Sequence, residues 1–276
     1  GSASLDRVQE TLDYDADVQN PVFPQKVDLP HEIGFNDFTF QYPMSQVKNL
    51  QQISLNLKKG QTLGIVGKTG AGKTTFIRQL LMEYPLGNGQ IVIGDVDLSK
   101  LTKEQVLDWI GYVPQNHVLF SRTIRENILF GKEDATEEDI RDAIRLAYFE
   151  KDLAHLPMGL ETLVGEKGVS LSGGQKQRVS IARALIKNPE VLILDDSLSA
   201  VDAKTESKII ENIQTERAGK TTIISTHRLS GIQHADEIIV LDEGSIVERG
   251  THDELLALGG WYKEQYDRQQ LEEVSE

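Results

Sequence analysis

QTLGIVGKTGAGKTTFIRQLL, residues 61–81, decides the fold. Its opening, TLGIV, is a compact apolar run that reads as a buried strand. Its middle, GKTGAGKT at 67–74, satisfies the spacing G-x-x-x-x-G-K-[ST], and a helix is expected to start within GKTTFIRQLLM. Strand, glycine-rich turn and helix in that order make a phosphate cradle. The glycines let successive backbone N–H groups face one anion, and the helix start adds a favourable dipole. In such a loop Lys73 reaches the β- and γ-phosphates, and the Thr74 hydroxyl ligates Mg²⁺. Gly67, Lys68, Thr69, Gly70, Ala71, Gly72, Lys73, Thr74 and Thr75 are the expected binding residues for a nucleoside triphosphate.

A loop of this kind calls for a second strand ending in an acid. VLILDDSLSAVD, residues 191–202, supplies it, with Asp195 placed to hold Mg²⁺ through water and Asp196 directly after it. TTIIST is another short apolar strand, separated from VLILDD by the helix-length KTESKIIENIQTE. This alternation predicts parallel strands with crossover helices. Upstream, IGFNDFTFQY and ISLNLKKG alternate apolar and polar residues as strands do, and QIVIGDVDL gives a further strand. TKEQVLDWI opens with a Thr-x-x-Gln capping pattern. TEEDIRDAIRLAYF is amphipathic, with Ile140, Ile144 and Ala147 on one face; SGGQKQRVSIARALIKN carries Val179, Ala182 and Ile186 at helical spacing. EIIVLDEGSIVERG reads as a hairpin, followed by THDELLALGG and a polar helix.

Bulk properties narrow the class. The 276 residues are 39% hydrophobic, enough for a sizeable core. There is no cysteine, which excludes disulfides, thiolate metal sites and thiol nucleophiles. The formal charge of −14 argues against a nucleic-acid partner, since phosphate backbones need basic surface. No apolar run approaches the roughly 18 residues of a membrane span, and the polar, acidic opening does not read as a signal peptide. Residues 1–30, with acids, Gln, Pro21, Pro24 and Pro30, read as a linker, and Gly1-Ser2 as a cloning scar.

LSGGQKQR, residues 171–178, is a second candidate anion site. Ser172 is a natural helix N-cap, Gln175 completes a capping-box pattern, and Gly173 and Gly174 leave the helix start bare. One triphosphate has no use for two such sites in one chain, whereas a head-to-tail dimer does. With these pieces in place, residues 33–260 resemble the nucleotide-binding domain of ATP-binding-cassette (ABC) transporters. LSGGQ, lying between GKTGAGKT and VLILDD, resembles their signature motif. The resemblance implies an α/β P-loop NTPase fold of the ABC ATPase type: a RecA-like core with a mainly parallel sheet, an N-terminal antiparallel β subdomain and a helical signature subdomain. The helical part is expected at about 116–187, inside a nucleotide-binding domain spanning 31–276.

Residue roles follow from the same resemblance. Tyr42 in FTFQYP matches the aromatic that stacks on adenine. Gln115 in YVPQN matches the residue that senses Mg²⁺ and contacts the membrane domain. Ser199 and Asp202 in SAVD match the D-loop at the dimer interface, and His227 in STHRLS the switch histidine on the γ-phosphate. LFSRTIRENILFG and TLVGEKGVSLSGGQ resemble the exporter branch, where Glu166 contacts the loops of both membrane domains. SLDRVQETLD resembles the linker from an N-terminal membrane domain. The implied cofactors are ATP and Mg²⁺. The implied partners are a second ABC subunit and the transmembrane domains of both chains. The implied location is the cytoplasmic face of the plasma membrane, the chain itself being a soluble piece.

Asp196 departs from the pattern. The family usually has Glu there, as the general base for the attacking water. Aspartate retracts the carboxylate by one C–C bond, about 1.5 Å, and about 1 Å of misplacement costs on the order of 100-fold in rate. A site that binds well and hydrolyses slowly is expected, as in the degenerate-site subunit of a bacterial heterodimeric multidrug exporter. There, Ser172, Gly173, Gly174 and Gln175 would complete the strong site of a Glu-bearing partner. Other readings stand beside this: Asp196 working through a relaxed geometry or a second water, a homodimeric exporter with two slow sites, a nucleotide-gated module without useful turnover, and a soluble, non-transport ABC ATPase.

Overall fold

The computed structural model describes residues 18–275 apart from 29 and 117. The linker expectation for SLDRVQETLD falls outside the described residues. Ten strands are described: β1 (Glu32–Phe40), β2 (Leu50–Lys58), β3 (Thr62–Gly67), β4 (Asn88–Ile93), β5 (Val96–Asp97), β6 (Ile110–Val113), β7 (Val191–Asp195), β8 (Thr221–Ser225), β9 (Glu237–Asp242) and β10 (Ser245–Gly250). They form an antiparallel sheet in the order β2-β1-β4-β5 and a six-stranded sheet in the order β10-β9-β3-β8-β7-β6. The second is parallel except for β10, which returns antiparallel to β9.

Side-chain alternation along the parallel strands explains the layering. In β7, Val191 and Ile193 enter one core, whereas Leu192 and Leu194 enter the other. The first core is closed by the antiparallel sheet, α1 (Lys73–Leu80) and α2 (Lys103–Trp109). Phe35 and Phe76 stack there at 4.4 Å, fully buried, each burial being worth about 1.5–3 kcal/mol. The second core is closed by α3 (Ile124–Leu129), α4 (Glu137–Leu146), α6 (Gly173–Ile186) and α7 (Ala203–Glu216), with the short α5 (Glu150–Ala154) beside them. Ile140, Ile144 and Ala147 are buried on one face of α4, as the spacing predicts. Because both sheet faces are covered, these strands read as continuous apolar runs.

Two local expectations need amending. QIVIGDVDL is not one strand: Gly94, at φ +65°, turns the chain between β4 and β5. The capping pattern at Thr102 is half formed. The Thr102 hydroxyl accepts from Gln105 N, but the Gln105 amide instead accepts from Val27 N at 2.8 Å and donates to Gln25 O at 3.3 Å. A tertiary partner thus outcompetes the local one.

The topology places the site. Strands β3, β7 and β8 are parallel neighbours, with Ile65 and Asp195 both in register with Ser225. Gly67, Asp195 and the switch segment after Ser225 therefore leave the sheet at the same edge. Beyond β10, α8 (His252–Leu258) and α9 (Trp261–Ser275) complete the described chain. Glu248 accepts from Trp261 N and Tyr262 N at the start of α9. No helix among the described residues is long and apolar enough to cross a membrane.

Candidate functional site

The phosphate loop is wedged between two backbone segments. Gly244 N, in the β9–β10 turn, donates to Ala71 O at 2.9 Å. Gly72, which starts α1, has φ +116°, and a Cβ there would lie 3.0 Å from Asn49 O. Only glycine meets both conditions without strain. No side chain caps α1, so the N–H groups of its first turn remain available to an anion. Lys73 is buried; its ammonium donates to Gly67 O at 2.5 Å and stands 3.3 Å from His227 Nδ1. Since an ammonium only donates, Nδ1 is the acceptor and the imidazole proton belongs on Nε2. Burial lowers the Lys73 pKa although Asp196 and Asp195 pull it upward.

At the end of β7, Asp195 is buried and accepts from the Tyr112 hydroxyl at 3.2 Å. Burial raises its pKa despite that hydrogen bond, and the charge of Asp196 adds to the rise. Asp196 adopts the left-handed conformation, φ +52°, with its N–H donating to Ser225 O at 2.7 Å. Aspartate tolerates that region better than most residues. The Ser197 hydroxyl donates to Val113 O at 2.6 Å, tying this turn to the end of β6, just before the exposed Gln115. Thr74 is exposed at the loop's rim. Tyr42 is half-buried: its hydroxyl lies 3.0 Å from the Thr75 hydroxyl, and its ring packs edge-on against Phe40 and Tyr84.

The signature segment is built around contacts to the D-loop. Ser172 and Gln175 form the reciprocal capping box, with Ser172 N donating to Gln175 Oε1 and Gln175 N to Ser172 Oγ. Gln175 Nε2 also donates to Asp152, which Arg178 clamps through both carboxylate oxygens. A Cβ on Gly174 would lie 2.8 Å from Ala200 O. Gln177 donates to Ser199 Oγ and accepts from Ala200 N, joining the signature helix to SAVD. Asp202 caps α7 by accepting from Thr205 N. Glu166 is exposed in the segment before the signature.

One cavity of about 620 Å³ brings Asp196, Ser199, Asp202 and His227 together. The Arg228 guanidinium donates to Ser199 O and Val201 O and pairs with buried Glu206 at 3.1 Å, so switch and D-loop are physically linked. Tyr112, Asp152, Gln177, Arg228 and Glu206 join the site only through the fold. Tyr112, Gln177 and Arg228 lie inside the quoted stretches YVPQN, LSGGQKQR and STHRLS, which is the signal that could find them; Asp152 and Glu206 sit on helices without any local mark.

The geometry suits a triphosphate with magnesium. The cradle offers an uncapped helix start, a buried ammonium and glycine turns. Among the described residues no group of three or more His, Cys, Asp or Glu could hold a metal by itself. Mg²⁺ commonly combines one or two protein oxygens with phosphate oxygens, and the Thr74 hydroxyl, the Asp195 carboxylate and the Gln115 amide oxygen would be its protein partners.

Comparison with known proteins agrees. The family model described as ABC transporter matches residues 50–199. The chain is 62% identical over 271 residues, 98% of its length, to the probable multidrug resistance ABC transporter ATP-binding/permease protein YheI of Bacillus subtilis (strain 168), spanning 46% of that protein. It is 43% identical over 272 residues to the multidrug resistance-like ATP-binding protein MdlA of Escherichia coli (strain K12), covering 99% of this chain and 46% of that one. The chain thus spans just under half the length of these relatives. Among solved structures, a bacterial Atm1-family ABC exporter with ATP bound superposes with a TM-score of 0.87 at 38% identity, over 92% of this chain and 45% of that one. With the fold, the phosphate loop and these likenesses in agreement, the chain belongs to the ABC transporter family, a family of ATPases, and is an ATP-binding domain of it.

Proposed function

We propose that this chain powers export of a drug-like or lipophilic compound across a bacterial membrane, as one of two nucleotide-binding domains that close on ATP. The observation that carries it is the convergence of Lys73, Asp195, Asp196 and His227 at one sheet edge, with an exposed signature cap elsewhere on the chain. In this reading residues 31–276 are the nucleotide-binding domain, about 116–187 its helical part, and 1–30 a linker from a membrane domain. The relatives named as ATP-binding/permease proteins support such a fused partner. The domain would work at the cytoplasmic face.

Bound ATP–Mg²⁺ supplies a γ-phosphate activated toward attack by water. The chain's own groups do the rest. Lys73 exchanges its neutral acceptors, Gly67 O and His227 Nδ1, for charged oxygens, a stronger pairing. With these groups bound, Tyr42 would support the base, Thr74, Gln115 and Asp195 would hold the metal, and His227 would be the residue presented to the γ-phosphate. Asp196, short of the usual glutamate, takes the water's proton slowly. Ser172, Gly173, Gly174 and Gln175 act in trans on a partner's nucleotide, with Ser199, Asp202 and Glu166 at interfaces. We assign the chain to the slow site of a heterodimer whose partner carries Glu. Asp196 equally supports a second reading, a nucleotide-gated module without useful turnover.

Fluorescent-nucleotide titration with sedimentation tests the assignment. The chain should bind ATP and sediment as a monomer without nucleotide. With ATP and a Glu-bearing partner domain it should form a dimer. A chain that binds no ATP, or a stable dimer in its absence, would contradict it.

A further inference from the structure

The last described helix reaches the switch segment. Gln269, on α9, donates from Nε2 to His227 O at 2.8 Å and accepts on Oε1 from Leu229 N at 2.9 Å. One amide side chain thus spans the two peptide groups flanking Arg228. The same helix walls the cavity that contains Asp196 and His227, through Tyr266, Gln269 and Glu272. The helix is itself held firmly. Glu248 accepts from its first N–H groups, and His252 Nδ1 lies 2.7 Å from the Tyr262 hydroxyl, with Tyr266 edge-on to the same ring at 5.0 Å. Tyr262 is fully buried. His227, by contrast, is exposed, and its ring has a single polar contact described, the 3.3 Å approach to Lys73. Its placement therefore depends on its backbone, which is held by Thr226, whose hydroxyl accepts from Arg228 N at 3.0 Å, by the Arg228 tether to the D-loop, and by Gln269 on the His227 carbonyl.

We propose that Gln269 is a positioning residue: from the C-terminal helix it fixes the backbone of the switch segment so that the His227 imidazole is presented to the γ-phosphate. The proposal rests on the role given to His227 above. It makes α9 part of the nucleotide site rather than a trailing element. The hydrogen bonds of Gln269 go to His227 O and Leu229 N, so its effect passes through the switch backbone to His227.

Two variants of the whole chain separate this from a packing role. Gln269→Ala removes both hydrogen bonds. Gln269→Glu keeps an acceptor for Leu229 N–H but puts an oxygen against His227 O. Affinities for ATP and ADP are measured by fluorescent-nucleotide displacement, and amide hydrogen exchange and imidazole ¹⁵N shifts by NMR without nucleotide. In Gln269→Ala, ATP should bind about tenfold more weakly while ADP affinity stays within about twofold, the size of one hydrogen bond to a charged group. Leu229 N–H should exchange faster, and the His227 ring shifts should move. Gln269→Glu should lose ATP preference in the same way yet retain Leu229 protection. In a His227→Ala background Gln269→Ala should have no further effect on the ATP-to-ADP ratio, the non-additivity expected of residues acting in series. An unchanged ATP-to-ADP ratio in both variants, or an additive loss in the double variant, overturns the proposal. Absence of ATP binding by the unaltered chain is a different failure: it removes the nucleotide-site assignment, and this inference with it.

Discussion

Lys73 is under opposing demands. Burial disfavours its charge, Asp195 and Asp196 favour it, and burial wins. A buried cation is therefore kept at some cost to stability, for ligand binding. Lys73→Met, which retains the stem, should weaken ATP binding about 10- to 100-fold, the loss of charge-assisted hydrogen bonds. The nucleotide-free melting temperature should hold or rise; a sharp fall would mean the lysine is structural. At this scale the sequence was most informative where chemistry and spacing coincide. GKTGAGKT named the loop, and VLILDD the acid. What it could not give was the Tyr112 hydroxyl on Asp195 or the left-handed backbone of Asp196, because both depend on the neighbouring strand. The placement of Tyr42 against Thr75 was equally invisible.

Among the elements, the signature helix is the most tightly specified. Its glycines are not equivalent. Gly174 faces Ala200 O so closely that Gly174→Ala must displace the D-loop, at about 1–3 kcal/mol. At Gly173 the added carbon would meet only Ala200 Cβ at 3.3 Å, and alanine favours helix by about 1 kcal/mol. Thermal melts should therefore show Gly174→Ala destabilised and Gly173→Ala close to the parent; equal effects would contradict the packing described. Asp152, which braces the same helix, adds a pH signature. Burial pushes its carboxyl up, but hydrogen bonds from Arg178 and Gln175 outweigh it and leave the pKa below the ordinary value. A depressed carboxylate stabilises above its unfolded pKa, near 3.9, and the contribution is lost as pH falls through the folded value. Asp152→Asn should thus cost about 1–2 kcal/mol at neutral pH. In melts the difference from the parent should start to shrink only below about pH 4 and keep shrinking as pH falls further toward the lowered folded value; a difference that did not shrink in that acid range would exclude this cause. The element itself was legible from Ser172, Gln175 and the apolar period, yet its brace was not. Asp152 lies in a five-residue helix with no periodic signal, brought in only by the tertiary fold.

For the whole molecule, alternating strands and helices announced the parallel sheet, and the structure adds how its two faces are shared. One is given to the antiparallel sheet and α1, the other to the signature helix and its neighbours. Because the phosphate loop, Asp195 and the switch leave the same edge, the sheet couples them rigidly, while Arg228 and Gln269 link the switch to the D-loop and to the C-terminal helix. Such long-range ties join residues 29 to 42 positions apart and leave no mark in local sequence. The central claim concerns Asp196, whose backbone is fixed at φ +52° while its side chain is one methylene short of the usual base. The most direct measurement is steady-state ATP hydrolysis by the chain and by Asp196→Glu, over a range of protein concentration, with ATP affinity measured alongside. The account predicts similar ATP affinity in both, slow turnover in the parent, and a gain of about 100-fold in the variant, rising more than linearly with concentration as a composite dimer site requires. A parent that is already fast, with nothing gained from glutamate, would contradict it.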